Sequence, residues 1–408
     1  MNSAESIRVS TLKSKRSVGQ FLLDELKPKG KFFTPFNIIS VPIMVLGLAI
    51  IIIRFWKGLG SVTNLSQSVP WGLWIGFDVV TGVAFAGGAY VITFMVYILN
   101  IKHYQPIVRV TVLNGFLAYL FYAGALLLDL GRPWNVINPI IGNSFGTSSV
   151  LFLVAWHFML YMFATLIEFS PAVAEWLGMK RVRKILNSLT IGAVIFGITL
   201  STLHQSGLGA LYLMAKGKIH PLWYTEFIPI LFFVSSIFAG LSMVIFEGSI
   251  TYRVFSHKVS ADEHKKHDNL LFGLAKICAG TMFAYLFMKL LILVHDQHLA
   301  LLTSGYGYWY IIEVVGFVLL PMILFVQSLK TRNVVIVKIA SLLTLIGIIL
   351  NRLNVTVIGF HWDAVVRYVP TWMEIVVTLA IIFIEIWVFR WIVHRMPVLD
   401  KVSSSNSR

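Results

Sequence analysis

Cysteine is almost missing from this sequence: Cys278 stands alone among 408 residues. A single thiol excludes an internal disulfide, a CxxC redox pair and an iron–sulfur cluster held by thiolates of this chain. Charge is scarce as well, at 12% of residues against 57% hydrophobic, and acids are outnumbered 18 to 33 by Lys and Arg. The mean hydropathy of +0.81 lies far from that of a soluble globular domain, in which roughly a quarter of residues are charged. No HExxH, Gly-rich phosphate loop or Ser or Cys nucleophile constellation occurs, so hydrolase and nucleotide chemistry have no support.

What the chain has in abundance is long apolar runs. A bilayer core of ~30 Å needs about 20 apolar residues at 1.5 Å rise each. Such windows are placed at Asn37–Phe55, Trp71–Leu99, Val108–Leu128, Val150–Glu168, Asn187–His204, Phe227–Thr251, Leu271–Val294, Tyr308–Ser328, Val334–Asn351 and Trp372–Val393. The predicted fold class is an all-α polytopic membrane protein with about ten transmembrane helices, numbered here as spans in chain order. The net charge of +15 does not imply nucleic acid. Most basic residues fall before span 1, after span 10 and in alternate loops, the positive-inside distribution, which predicts a multi-pass protein with both termini in the cytoplasm. "GMKRVRK" and "SHKVSADEHKKH" are accordingly solvated cytoplasmic connections. Residues 1–35 form a polar, basic cytoplasmic segment without the features of a removable signal peptide, and 395–408 a cytoplasmic tail. "VGQFLLDELK" suits a short amphipathic helix on the inner surface.

The membrane domain, 36–394, carries an internal echo. "FAGGAYVI" (Phe85 to Ile92) in span 2 and "FAGLSMVI" (Phe238 to Ile245) in span 6 agree at five of eight positions. Both spans cross in the same direction under the predicted topology, so a duplication would relate them by an axis along the membrane normal. The expectation is two parallel-repeat four-helix bundles, a first of about 71–204 and a second of about 227–351, flanked by one helix on each side. Small residues such as Gly82/Ala86 and Ala84/Gly88 serve close helix packing. Asp78 has no acidic counterpart, since Leu231 occupies the equivalent position, which directs attention to the first bundle.

A carboxylate at membrane depth costs roughly 2.5–3.5 kcal/mol on insertion scales, so each is a functional candidate. Near the outer interface lie Asp78, two turns below Trp71 and next to Trp74; Asp129 with Arg132 at the end of span 3; His204 and Gln205 at the end of span 5; and Glu313 in span 8. Asp129 and Arg132 read either as part of a site or as an i,i+3 ion pair. Deeper are His157 near mid-membrane and Glu168, Glu247 and Glu385 toward the inner face. An acid, an imidazole, an amide and tryptophans suit a lipophilic molecule that accepts hydrogen bonds at a carbonyl and exchanges protons. A quinone has those properties, and its two-electron reduction takes two protons. Glu247, Glu385 and His157, with Glu168 and Glu313 as further candidates, are expected as proton-transfer stations leading to Asp78. A bis-histidine haem finds little support, because only His157 is deep; His204 with His295 or His298 is the remaining pairing.

The stretches "GLGSVTNLSQSVPWGLWIGFD", "LLDLGRPWN", "LHQSGLGALYL" followed by "KIHPLW", "VIFEGS" and "YVPTWMEI" resemble the NrfD/polysulfide-reductase membrane-subunit family, and especially its HybB-type members from periplasmic nickel–iron hydrogenases. The resemblance runs from about Gly58 through span 10. It implies an anchor without haem or iron–sulfur cluster of its own, binding menaquinone near the periplasmic face at Asp78, His204 and Gln205. It also implies a periplasmic ferredoxin-like iron–sulfur partner, which would dock over Gly58–Pro70, Gly131–Thr147 and Leu208–Trp223 and contact the catalytic subunits, here the large and small hydrogenase subunits. The same scaffold serves cytochrome-linked menaquinone reductases and sulfur-compound reductases. A secondary transporter is the alternative from a different class, since parallel repeats and deep carboxylates occur there too.

Overall fold

The computed structural model describes residues 18–27, 33–67, 69–141, 148–254, 261–365 and 367–398. Among the described residues, ten helices are long and apolar enough to cross a membrane: Pro35–Lys57, Trp74–Ile98, Lys102–Asp129, Val150–Trp176, Lys180–Ala215, Ile228–Thr251, His267–His295, Gly305–Thr331, Val334–Ile358 and Trp372–Arg395. They are spans 1 to 10 in order, and each coincides with an expected window. The chain is an all-α, multi-pass membrane protein. Among the described residues the sheet-like pairing is a single antiparallel bridge, Ile219 with Phe360, flanked by His220 N–H to Gly359 O (2.8 Å) and His361 N–H to Lys218 O (2.7 Å).

Local sequence explains several helix ends. Thr34 accepts from the Asn37 amide and is followed by Pro35, Ser304 caps span 8 through the Gly307 amide, and Thr371 with Glu374 forms a capping box on span 10. The sequence expectation of a loop from Leu208 is corrected here. Span 5 stays helical to Ala215, because nothing in "GLGALYLMA" interrupts it, and the connection begins at Lys216. Part of the Gly131–Thr147 loop, 142–147, lies outside the described residues, as do 1–17, 28–32, 255–260 and 399–408. The short helix expected in the N-terminal segment is present at Val18–Leu26. Arg395 at the end of span 10 ties its C-terminus by donating to the Glu25 and Lys27 carbonyls.

Helix contacts place spans 2–5 in one ring of neighbours and spans 6–9 in another. Span 6 packs against spans 2 and 5, span 9 against span 2, and span 10 pairs with span 1 and leans on span 3. The two repeat segments meet each other. A Cβ on Gly240 would lie 1.9 Å from Gly88 N and 2.3 Å from Gly87 C, and one on Gly87 would lie 2.5 Å from Ser236 O. Gly87 and Gly240 are equivalent positions of the two motifs, so the small residues are there because backbone touches backbone at the junction. Three spans include wider, π-helical turns: Trp74–Thr81 and Phe94–Ile98 in span 2, Ile312–Leu319 in span 8 and Asn354–Ile358 in span 9. Pro321, which has no N–H to give, immediately follows the one in span 8. Such turns concentrate at functional sites, and here they carry Asp78, Glu313 and Asn354.

Candidate functional site

The two ends of the bundle are named for residues at them. The Trp71 end carries the start of span 2 and the end of span 3, and the Lys180 end carries the start of span 5.

Asp78 is fully buried within its π-helical turn. Thr378 of span 10 donates to its Oδ2 at 3.2 Å, whereas Oδ1 is buried without a hydrogen-bond partner. A carboxyl oxygen left in this condition costs free energy unless a proton or a ligand meets it. Asp129 also has a buried, unpartnered Oδ1 and lies within electrostatic reach of Asp78, Arg54 and Glu374. The expected Asp129–Arg132 pair is not formed among the described residues, and Arg132 is exposed. Arg54 of span 1 takes that place, donating to the carbonyls of Leu128 (2.7 Å) and Leu130 at the end of span 3, where the helix leaves carbonyls free. Glu374, buried in the first turn of span 10, accepts from the Thr371 amide at 2.7 Å and from the Tyr368 hydroxyl, while its own carbonyl accepts from Trp74 Nε1 at 3.1 Å. Burial and the adjoining Glu374 carboxylate push the Tyr368 phenol above its ordinary range, so it remains a neutral donor. Tyr368 also lines a 220 Å³ cavity with Trp71, Thr356, Phe360, His361 and Arg367. Trp71 stacks there against Phe360 at 5.2 Å and Tyr212 at 5.4 Å. The Trp71 end thus joins a cavity, through the Tyr368 phenol, to the buried Glu374 carboxyl, which has Asp129 in electrostatic reach.

His204 and Gln205 face elsewhere. His204 Nδ1 is 3.2 Å from Val154 O of span 4, its ring packs against Tyr119 (5.6 Å) and Phe158 (5.5 Å), which also touch each other, and its Nε2 is buried without a partner. Gln205 donates to Val83 O of span 2 at 2.8 Å. His157, half-buried, is an electrostatic neighbour of His204. His295, one of the two histidines the sequence offered to pair with His204, is exposed and lies 2.9 Å from Asp296.

Toward the Lys180 end the structure brings Glu247 and Glu385 into one cavity of 390 Å³, with Asn114 and Tyr122. Asn114 donates to Glu247. Tyr122 lies within reach of Asp78 as well as both glutamates. Glu168 lines a separate 140 Å³ cavity with Gln105, Arg109 and Asn187. At that end Arg109 and Arg183 pair with Glu175 at 3.2 and 3.1 Å.

Glu313 belongs to a different cluster, inside the second ring of spans. It accepts from Trp223 Nε1 and Asn351 Nδ2, both at 2.6 Å, and from Asn354 Nδ2. Arg352 donates to Asn351 Oδ1 (2.9 Å) and Ser235 Oγ (2.7 Å), with its guanidinium 3.6 Å above Phe232. The Lys289 ammonium sits 5.0 Å over Tyr310 and within reach of Glu313. Sequence reasoning by depth of acids passes over Lys289, Arg352, Glu374 and Arg54. The signal was available for the two basic residues buried in spans 7 and 9, where a cation must find a partner.

The sequence pattern described as "Polysulphide reductase, NrfD" matches residues 61–364. A protein of Nitratidesulfovibrio vulgaris (strain Hildenborough) is 42% identical over 90% of this chain and 95% of its own length. The "Probable Ni/Fe-hydrogenase 2 b-type cytochrome subunit" of Escherichia coli K12 is 29% identical over 91% of this chain and 95% of its own. A "Menaquinone reductase, integral membrane subunit", also from Nitratidesulfovibrio vulgaris, is 27% identical over 86% and 88%. With the family pattern spanning most of its ten helices, the chain belongs to the NrfD, or polysulphide reductase, family of membrane proteins.

Proposed function

We propose that this chain is the quinone-reactive membrane subunit of a respiratory oxidoreductase in a bacterial inner membrane, passing electrons between an iron–sulfur partner on the periplasmic face and the menaquinone pool. The observation that carries the reading is the group of buried carboxyls at the Trp71 end: Asp78 and Asp129 each hold an unpartnered oxygen, and Tyr368 connects Glu374 to the Trp71 cavity. Quinone reduction takes up two protons, and carboxyls kept out of water are suited to hold and release them. Relatives named for a hydrogenase and for a menaquinone reductase support the same chemistry, and the hydrogenase is the partner favoured here. In this reading both termini are cytoplasmic, the Trp71 end is periplasmic, and the quinone headgroup sits near Trp71 and Asp78. His204 and Gln205 then act by position, since their bonds fasten span 5 to spans 4 and 2.

The assembled complex tests this. Asp78→Asn should lower quinone-linked turnover by about 10²-fold, the usual scale of a lost acid–base group, and leave electron transfer to a soluble artificial acceptor unchanged. Wild-type quinone turnover in that variant would remove Asp78 from the site. Cross-links to the iron–sulfur partner only at Lys180–Lys184 would reverse the orientation.

A further inference from the structure

The cavity holding Glu247 and Glu385 is separate from the Trp71 end and has its own access. It lies where spans 2, 3, 6, 9 and 10 meet, has a volume of 390 Å³, and is walled mainly by apolar side chains such as Phe85, Leu345, Ile382 and Phe389. Ile250 and Leu342, 47% and 45% exposed on the outside of the bundle, also line it, so its mouth opens sideways toward hydrocarbon. Inside, polar groups converge: Asn114 donates to Glu247, and Tyr122 lies within reach of Glu385. We propose that this cavity is a binding site for a lipid-soluble molecule of the quinone or quinol class, which enters laterally from the bilayer and is held by Glu247 and Glu385.

Three arguments select that class. The volume falls within the range of about 300–1,000 Å³ typical of small-molecule sites, and apolar walls with a few convergent polar groups are their usual lining. Water alone would need on the order of a dozen molecules, at about 30 Å³ each, against walls that offer few partners. A lipid acyl chain would fill the space but leave two buried carboxyl groups facing hydrocarbon, at a cost of several kcal/mol. A carboxyl group accepts hydrogen bonds when ionised and can donate when protonated. It therefore suits a quinone, whose oxygens only accept, and a quinol, whose hydroxyls donate. No redox step is assigned to this cavity, and the site stands whether or not Asp78 borders a quinone.

Photolabelling distinguishes the occupants. The complex in lipid nanodiscs is illuminated with an azido-quinone, and labelled peptides are mapped by mass spectrometry. Label is expected in 243–251 and 382–389, displaced by unlabelled menaquinone. Leu342→Trp, which plugs the mouth from an already exposed position, should reduce it about tenfold, and Glu385→Leu should weaken the competition. Label confined to 69–75 and 360–369, label displaced equally by phospholipid, or background label indicating a water-filled relay between the glutamates, would each overturn the proposal. Quinone turnover lost by Asp78→Asn with this label intact would leave both readings standing, because the two sites report separately.

Discussion

The second ring of helices buries more charge than the first and explains more of it. Glu313 takes three hydrogen bonds from Trp223, Asn351 and Asn354, with Arg352 and Lys289 in reach. Asp78 in the first ring takes one, from Thr378, and keeps an empty oxygen. A buried carboxylate whose two oxygens both accept hydrogen bonds, as in Glu313, is a structural solution, whereas one with an oxygen left unmet persists only where something else uses it. Both acids sit in π-helical turns of apolar spans, so the difference lies in the neighbours.

The comparison breaks most visibly in stability. Glu313→Leu should strand Arg352 and Lys289 as buried cations and cost about 3–5 kcal/mol in denaturant titrations in detergent, against less than about 1 kcal/mol for Asp78→Asn. Equal losses would mean that Asp78 is also a structural group. Next in size is activity. Glu374→Gln keeps the acceptor of the capping box but cannot ionise, so quinone-linked turnover should fall about tenfold at unchanged melting temperature. If stability falls with turnover, Glu374 works only as a cap. The junction between the rings is sharpened by two alanines. Gly240→Ala meets the backbone of Gly87 and Gly88 and should cost about 1–3 kcal/mol, whereas Gly280→Ala, with open space around it, should be neutral or slightly stabilising.

The smallest effect concerns the loop that reaches Glu313. His220 Nδ1 accepts from the Leu222 amide at 3.2 Å, and the ring stacks on Tyr306 at 4.5 Å. Burial, with a lesser contribution from His298, lowers the His220 pKa below the ordinary value. The folded loop therefore favours the neutral ring, and its stability is full above the unfolded pKa of ~6.5 and is lost as pH falls below it. Hydrogen exchange at the Leu222 amide should quicken several-fold between pH 7 and pH 5 beyond the intrinsic change, and His220→Gln should remove that pH dependence.

How far the sequence could be read follows from how local each cause is. Ten spans were legible because crossing hydrocarbon requires a run of apolar residues, and caps such as Thr34 with Pro35 lie beside the helices they start. The shared motif stood out because Gly87 and Gly240 each meet backbone of the other's segment, so neither position admits a side chain. Span 5 ran past its expected end because an apolar window measures hydrocarbon depth and not helix length. Depth also located Asp78 and Asp129 at the Trp71 end, though not Glu374, and depth carries no azimuth. It grouped Asp78 with His204, which turn to span 10 and to span 4. It likewise grouped His157 with Glu247 and Glu385, although only the two glutamates share a cavity.

The amino-acid sequence by itself therefore determined the membrane class and the number of spans, since each depends on residues near one another in the chain or on composition. Only the tertiary structure decided which charges face which. Thr378 meets Asp78 across a separation of 300 positions, Asn114 meets Glu247 across 133, and Arg54 reaches Leu128 across 74. Such pairings depend on the rotation of each helix about its own axis, and that rotation is set by packing between helices, which no single span encodes.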